Sequence, residues 1–252
     1  MNDDADLLVD VRAWLEGRGY VLEMRVAQLL SGRRIEVDQG YAYTDVETKK
    51  DREGDISALV DIDTEDDHWH MLDLLIECKS TNDPWIGFRG DKWGNGPWTA
   101  GSYMDLDCAL CETMLVRFAH LRRKAAPVYS LTEKRNGTAK DHAYEAARQA
   151  TSAALGKYSE SKLDGHEDAS IISILVVPIV VTTSPLVLCS LDENGEVTLE
   201  SVDRMNVTVA RLDTPEPGAD GLEVLVVRER ALEALVEDLE HLTDDWRLEV
   251  AP

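Results

Sequence analysis

The sequence lacks a long uninterrupted run of apolar residues. The longest such run, from Ile171 to Val181, is interrupted by Ser173 and Pro178, and it is shorter than the roughly 20 residues that a membrane-spanning helix needs. We therefore expect no transmembrane segment. The first six residues, Met1 to Asp6, are acidic where a secretory signal would be basic and then apolar, so we expect a cytoplasmic protein.

Cysteine is scarce, with four residues in a chain of 252, and in the cytoplasm we expect these cysteines to be thiols. Cys108 and Cys111 have C-x-x-C spacing, but they lie within a predicted helix, where we interpret them as buried thiols. No second C-x-x-C completes a zinc site, and His68 with His70 lacks a third ligand. The sequence therefore contains no complete zinc-binding motif.

Basic residues are also scarce, because 26 Lys and Arg face 49 Asp and Glu and the net charge is −23. Such an excess of negative charge argues against a protein that coats nucleic acid non-specifically. The charge is uneven, however, since residues 117–140 contain seven basic residues and one acidic residue. This segment is either a local phosphate-facing patch or a solvated helix face.

Several common catalytic motifs are absent. There is no G-x-S-x-G elbow, no phosphate-binding loop and no dinucleotide-binding fingerprint. The motifs therefore do not support a serine hydrolase, a nucleoside triphosphatase or a dinucleotide-dependent enzyme. The sequence also contains no internal repeat and no low-complexity tract.

Hydrophobic periodicity predicts an alternation of helices and strands. Helices are expected at 4–16, 22–30, 103–124, 141–158 (with Asp141 as its N-terminal cap) and 228–242. Strands are expected at 35–46, 54–62, 71–78, 127–131, 171–181, 186–191, 197–199, 206–212 and 222–227. A polar hairpin loop is expected at 63–70, and an irregular loop with Trp85, Trp93 and Trp98 at 80–101.

This order of elements predicts an α/β fold with a mixed central β-sheet flanked by helices. We expect residues 1–165 to form the α/β core with its N-terminal helices. Residues 166–252 are expected to form a β-rich C-terminal extension that continues the core or packs on it.

The strand at 71–78 is nearly continuous in apolar residues and then ends in charged ones. Side chains two apart on a strand point to the same face, so Glu77 and Lys79 project together while Cys78 faces the other way. Asp55 begins the preceding predicted strand, and antiparallel pairing would bring it towards Glu77. The two carboxylates, the main-chain carbonyl of Cys78 and waters would suffice to bind Mg²⁺ or Mn²⁺. Lys79 is placed to orient or polarise an attacking water.

In these residues the sequence resembles the restriction-endonuclease-like, or PD-(D/E)xK, nucleases. The resemblance rests on Arg52-Glu53-Gly54-Asp55-Ile56-Ser57 for the first acid and on Glu77-Cys78-Lys79 for the E-x-K element. Glu23, in the segment Leu22-Glu23-Met24-Arg25-Val26-Ala27, is similar to the acidic helix before the core in Mrr-like and Holliday-junction-resolvase-like members. The resemblance covers roughly residues 20–160, by the element order α-β-β-β-α-β.

The resemblance implies metal-dependent hydrolysis of a phosphodiester bond by in-line attack of water, with one or two ions and with Glu23 able to serve the second. Two features depart from the family pattern. Gly54 precedes Asp55 where many members have proline, and the Q-x-x-x-Y signature is broken because Gln149 is followed by Ala153 while Tyr144 lies upstream. No role is therefore assigned to Gln149.

The sequence predicts a DNA-acting nuclease, with RNA as an open alternative, in bacterial defence or in repair. Five basic residues that flank the acids in sequence are candidate nucleic-acid contacts: Lys49, Lys50, Arg52, Arg89 and Lys92. A homodimer or a larger defence complex is expected, because cutting both strands usually needs two active sites. Three alternatives stay open: a strand-end salt bridge on an inert sheet, a catalytically silent binding or scaffold module of the same fold, and an acidic DNA mimic.

Overall fold

The computed structural model describes residues 3–16, 19–33, 35–62, 69–90, 99–102, 121, 123–134, 141–163, 172–209 and 222–249. The helices with described bounds are α1 (Asp3–Glu16), α2 (Tyr20–Ser31), α3 (His142–Leu163) and α4 (Leu232–Glu249), the last preceded by a single 3-10 turn at Glu229–Ala231. The strands are β1 (Glu36–Thr44), β2 (Asp51–Ile62), β3 (Trp69–Lys79), β4 (Trp85–Arg89), β5 (Thr99–Ser102), β6 (Ala126–Glu133), β7 (Ile172–Thr182), β8 (Leu186–Leu191), β9 (Val197–Val202), β10 (Arg204–Val209) and β11 (Leu222–Arg228).

All the described strands belong to one mixed sheet in the order β1-β2-β3-β7-β11-β10-β6-β4-β8-β9, and β5 pairs with β7 off this path. Strands β1, β2 and β3 form an antiparallel meander. Strand β7 runs parallel to β3 and to β11, and β4 runs parallel to β8. The predicted α/β class, with a mixed sheet flanked by helices, is confirmed.

The longest pairing joins the two halves of the chain. Strands β3 and β7 are hydrogen-bonded in parallel over eleven residues, from Trp69 beside Ile172 to Lys79 beside Thr182. Both strands are buried along most of their length, which explains their nearly continuous apolar sequences. Strands from before and after residue 165 therefore share a single sheet.

Helices cover the two faces of the sheet. On one face α2 and α4 contribute Leu22, Val26, Leu235 and Val236 to a core that includes Ile76 of β3. On the other face α3 packs through small residues, which let a helix approach a sheet closely. Its contacting residues are Ala143, Ala146, Ala147, Ala150, Ala153 and Ala154. Asp141 caps this helix as predicted, because its Oδ1 accepts the N–H of Tyr144 at 3.1 Å.

Two local predictions were wrong. Residues 80–101 are not one irregular loop, because they contain β4 and β5, and Trp85 is fully buried between β6 and β8. Both strands are only four or five residues long and pair with segments distant in sequence, which leaves no local signal. Asp55 lies inside β2, which begins at Asp51.

Helix α1 forms as predicted. Its apolar face, which includes Leu7, Leu8, Val11 and Trp14, is exposed. Periodicity reports which residues share a face of a helix and does not report whether another element covers that face.

Some predictions fall on residues outside the described part of the chain. These are most of the expected helix at 103–124 with Cys108 and Cys111, much of the basic segment 117–140, and His68, Lys92, Trp93 and Trp98. Within the described residues, no helix is long and apolar enough to cross a membrane.

Candidate active site

The carboxyl end of β3 changes from apolar to charged within a few residues. Leu74, Ile76 and Cys78 point into the core under α2 and α4, so the strand period of two directs Glu77 and Lys79 to the opposite face. Their charged groups meet there, with Lys79 Nζ 2.6 Å from Glu77 Oε1. The predicted side-by-side placement of carboxylate and ammonium is present.

Asp55 reaches the same place from β2. Ile56 pairs with Ile76 across the antiparallel ladder, so Asp55 lies opposite the end of β3. Its Oδ2 accepts the main-chain N–H of Cys78 at 2.6 Å. Asp55 of β2 is therefore hydrogen-bonded to the backbone of β3 between Glu77 and Lys79.

The direction of the Cys78 carbonyl follows from the hydrogen bonds of its neighbours. The carbonyl of Lys79 accepts the N–H of Thr183 at 3.3 Å and therefore faces β7. Because backbone polar groups of successive strand residues point to opposite sides, the N–H and C=O of Cys78 both face β2. The carbonyl of Cys78 thus lies on the same side as the Asp55 carboxylate.

Glu23 approaches the site from α2. This helix begins directly after Gly19, which has a positive φ of 87°. A Cβ on Gly19 would lie 3.9 Å from the Cβ of Ser80, just past the end of β3. Glu23 is in the first turn. Its pKa is raised by partial burial and by the negative charge of Asp55, and lowered to a lesser degree by Lys79.

The site carries more negative than positive charge, because Asp55, Glu77 and Glu23 surround the single ammonium of Lys79. Burial first, and repulsion from Asp55 second, raise the pKa of Glu77 to about 7. Burial also raises the pKa of Asp55, against the Cys78 N–H and Lys79, which lower it. Burial alone would lower the pKa of Lys79, but attraction to Glu77 and Asp55 outweighs it, so the pKa is raised. Lys79 is therefore charged at neutral pH.

The aromatic side chain of Tyr41, which lies beside the site, was not predicted from the sequence. Tyr41 of β1 pairs directly with Gly54 of β2, and its ring occupies the position that a Cβ on Gly54 would take. Burial raises the pKa of Tyr41, and the charges of Asp73, Glu77 and Asp55 add to this effect. A glycine paired with an aromatic residue would have indicated this contact, but the pairing is known only once the β1–β2 register is known.

A second buried acid lies on the same face of β3. Asp73 Oδ1 accepts the hydroxyl of Ser57 at 2.9 Å. Burial raises the Asp73 pKa to about 6, although Ser57 and the positive charge of Lys157 act in the opposite direction. Asp73 and Ser57 therefore form a second polar contact between β2 and β3, further from the end of β3 than Asp55 and Glu77.

Hydroxyl groups tie β3 to β7 beyond Lys79. The Oγ atoms of Thr183 and Ser184 each lie 3.1 Å from the carbonyl of Thr81 and donate to it. Thr81 Oγ1 is 2.5 Å from Ser184 Oγ, and Ser80 Oγ is 3.4 Å from Thr183 Oγ1. Each of these four hydroxyl hydrogens therefore has an acceptor within the network, so we assign the network a structural role.

The candidate nucleic-acid contacts are divided between two places. Lys49 and Lys50 are exposed in the β1–β2 turn, at the end of the sheet towards which β3 runs, and Arg52 beside them is paired with Asp45 at 2.8 Å. Arg89 is elsewhere, because four strands separate β4 from β3, a lateral distance of roughly 24 Å. Arg89 is paired with Glu200 at 3.2 Å. Lys92 lies outside the described residues.

The donor atoms at the site match the chemistry of a hard divalent cation. Mg²⁺ is typically held by one or two carboxylates and keeps several waters, and Asp55, Glu77 and the Cys78 carbonyl are such oxygen donors. An excess of buried carboxylate charge is also what a cation would neutralise. No three His, Cys, Asp or Glu side chains among the described residues are arranged to hold one metal ion together. A site here would therefore rely on two carboxylates, a carbonyl and water.

Comparison with known proteins gives no further assignment. No protein-family model, no curated protein and no solved structure matches this chain.

Proposed function

We propose that this protein is a metal-dependent nuclease of the restriction-endonuclease-like, PD-(D/E)xK type that hydrolyses phosphodiester bonds in DNA. The observation that carries the proposal is the meeting of Asp55, Glu77 and Lys79 at the end of two paired strands, with Asp55 hydrogen-bonded to Cys78 and Lys79 ion-paired with Glu77. Glu23 beside them adds a fourth charged group. Buried acids with raised pKa values that share a site with a lysine are typical of functional centres.

Each residue has a distinct task in this proposal. Asp55, Glu77 and the carbonyl of Cys78 would hold Mg²⁺ or Mn²⁺, which when bound would supply Lewis-acid stabilisation of the negative charge on the phosphoryl group. Lys79 stays protonated and donates hydrogen bonds to a water or a phosphoryl oxygen, which orients the former and neutralises the latter. Glu23 is the candidate ligand for a second ion.

A role in bacterial defence or repair and assembly into a homodimer or a larger defence complex are further parts of the proposal, and they rest on the resemblance. RNA is the alternative substrate. The exposed Lys49 and Lys50 are the best-placed candidate contacts to a nucleic-acid backbone, because the β1–β2 turn lies at the same end of the sheet as Lys79. Arg52 could join them by exchanging Asp45 for a phosphate.

The test is cleavage of supercoiled, linear and single-stranded DNA, and of RNA, with Mg²⁺, Mn²⁺ or EDTA. Glu77→Gln and Lys79→Met should each abolish metal-dependent cutting. The matched control is Glu53→Gln, which removes an exposed carboxylate two residues from Asp55 and should leave cutting intact. Cutting that survives in Glu77→Gln would assign the activity to a different site.

The second candidate is a catalytically silent module of the same fold. Two observations favour it: no three-ligand metal site is present among the described residues, and both Arg52 and Arg89 are engaged by acidic partners. Metal binding separates the two functions, because an ion that binds only the native state raises the melting temperature. The nuclease should be stabilised by Mn²⁺ in an Asp55- and Glu77-dependent manner. A melting temperature unmoved by either ion, together with no cleavage of any substrate, would leave the silent module.

A further inference from the structure

The edge strand β9 differs from most edge strands in having little protection against pairing. Within the described residues it pairs only with β8. It contains no proline, lysine or bulge, features with which proteins commonly block an exposed edge. Its one charged residue, Glu200, is paired with Arg89 of β4. Its Val197 and Leu199 are 64% and 68% exposed, and Leu191 beside them on β8 is 67% exposed.

The opposite edge of the sheet shows what protection looks like in this protein. Strand β1 carries Glu36 and Asp38 and has a positive φ of 69° at Gly40. Helix α3 also covers it, since Glu160 Oε1 accepts the N–H of Thr44 at 2.8 Å. Among the residues that the structure describes, the two edges are therefore unequal, and β9 is the edge open to another strand.

The hairpin geometry shows which backbone groups of β9 face outwards. Asp192 N–H donates to the carbonyl of Glu196 at 2.9 Å, so the polar groups of Glu196 face β8. Because these directions alternate along a strand, the N–H and C=O groups of Val197, Leu199 and Ser201 face away from β8. These three residues also share the face of the sheet that bears Leu191.

We propose that β9 pairs antiparallel with β9 of a second copy of this chain, with Leu199 opposite Leu199 of the copy at a two-fold axis. In this register Val197 faces Ser201 and Thr198 faces Glu200 across the interface. A shift of two residues in either direction places like charges opposite each other, either Glu200 against Glu200 or Glu196 against Glu200. Like charges directly opposite destabilise a ladder, so charge selects the register in which the strand is complementary to itself.

The partner is a second copy because the edge satisfies the requirements of an isologous contact. The same surface serves both subunits, the outward-facing residues pair with one another, and the apolar side chains meet on one face. The contact is small, so we expect a weak, concentration-dependent dimer. Each copy carries a net charge of −23, and salt that screens their repulsion should favour association.

Sedimentation velocity over a concentration series at high salt tests the proposal. The wild-type chain should change from monomer to dimer as concentration rises. Leu199→Lys places like charges together at the axis, and Ser201→Pro removes an outward N–H that the monomer does not use. Each should weaken association by about tenfold or more, with far-ultraviolet circular dichroism and melting temperature unchanged.

Two control variants distinguish this edge from the other exposed surfaces. Gln39→Lys on β1 and Leu8→Lys on α1 should leave the dimer intact. A monomer at every concentration would overturn the proposal, and so would a dimer that is lost in either control variant but retained in Leu199→Lys and Ser201→Pro. Because the prediction does not rest on the proposed nuclease activity, Glu77→Gln should dimerise as wild type does.

Oxidative cross-linking tests the register. In a hydrogen-bonded antiparallel pair the Cα atoms are about 5.5 Å apart, a separation that a disulfide can span. The native free thiol of Cys189 lies opposite residue 199 on β8, so the test uses a Cys189→Ser background, in which Leu199→Cys should form a covalent dimer with its own copy. Val197→Cys is the matched control, because the two copies of residue 197 would be roughly 14 Å apart. Cross-linking of Val197→Cys but not of Leu199→Cys would overturn the proposed register.

Discussion

The carboxylate of Asp55 accepts the main-chain N–H of Cys78 at 2.6 Å, which joins β2 to β3 at the point where the sheet turns from apolar to charged. This bond gives Asp55 a structural task besides any role as a metal ligand. Substitutions that retain or remove the acceptor atom can therefore separate the two tasks.

Asp55→Asn and Asp55→Ala should differ in stability and agree in activity. Asparagine retains an oxygen that accepts the Cys78 N–H, whereas alanine leaves this buried donor unpaired, at a cost of about 1 to 3 kcal/mol. Both variants lose the charge, so both should lose metal-dependent cleavage. Urea denaturation alongside the cleavage assay measures the difference, and equal destabilisation of the two variants would argue against a structural role for this bond.

Asp73 should make the stability of the protein depend on pH. Burial raises its pKa in the folded state from 3.8 to about 6, so the folded state binds a proton more tightly than the unfolded state does. The resulting stabilisation is present in full below pH 3.8 and is lost as pH rises through about 6.

The effect is measured by urea denaturation at pH 4 and pH 7 for wild type and Asp73→Asn. Between these values the free energy of unfolding of the wild type should fall by about 2 kcal/mol relative to the variant. The amide can still accept the Ser57 hydroxyl, so the variant should fold. A parallel pH dependence of the two proteins would show that Asp73 titrates normally.

Gly54 and Tyr41 should be energetically coupled. A Cβ on Gly54 would overlap the Tyr41 ring, so Gly54→Ala should destabilise the protein by about 1 to 3 kcal/mol through overpacking. In a Tyr41→Ala background the same substitution should be neutral or stabilising, because alanine has less conformational freedom to lose than glycine. A double-mutant cycle measures the coupling, and additive effects would contradict the contact.

Ser184→Ala should weaken the connection between β3 and β7. Ser184 is fully buried, donates to the carbonyl of Thr81 and accepts from its hydroxyl. The substitution removes the first bond and leaves the half-buried Thr81 hydroxyl without its acceptor, at a cost of about 1 kcal/mol. The control is Ser80→Ala, whose hydroxyl is exposed and makes one long contact of 3.4 Å. Thermal denaturation should show a clear loss for the first variant and little change for the second.

Much of the site could be predicted from short stretches of sequence. The period of two places Glu77 and Lys79 on one face, and an apolar run that ends in charged residues marks the end of β3. The polar segment after Ile62 indicated the hairpin that aligns Asp55 with this end. These inferences depend only on residues close together in the chain.

The fold around the site was less predictable where strands pair at long range. Strands β4 and β5 were missed because each is short and its partners are distant in sequence. For the same reason it was not predictable that four strands would separate Arg89 from Lys79, or that Tyr41 would lie over Gly54.

By itself the sequence determined the α/β class, the approximate places of most of the described strands and the chemical identity of the charged cluster, because these follow from local periodicity and residue type. Only the tertiary structure decided that β7 lies beside β3, that Asp55 bonds to the Cys78 backbone, and that β9 is the exposed edge. Strand order and register depend on which distant segments bury each other's apolar surface and satisfy each other's hydrogen bonds, and that choice is made by the whole chain.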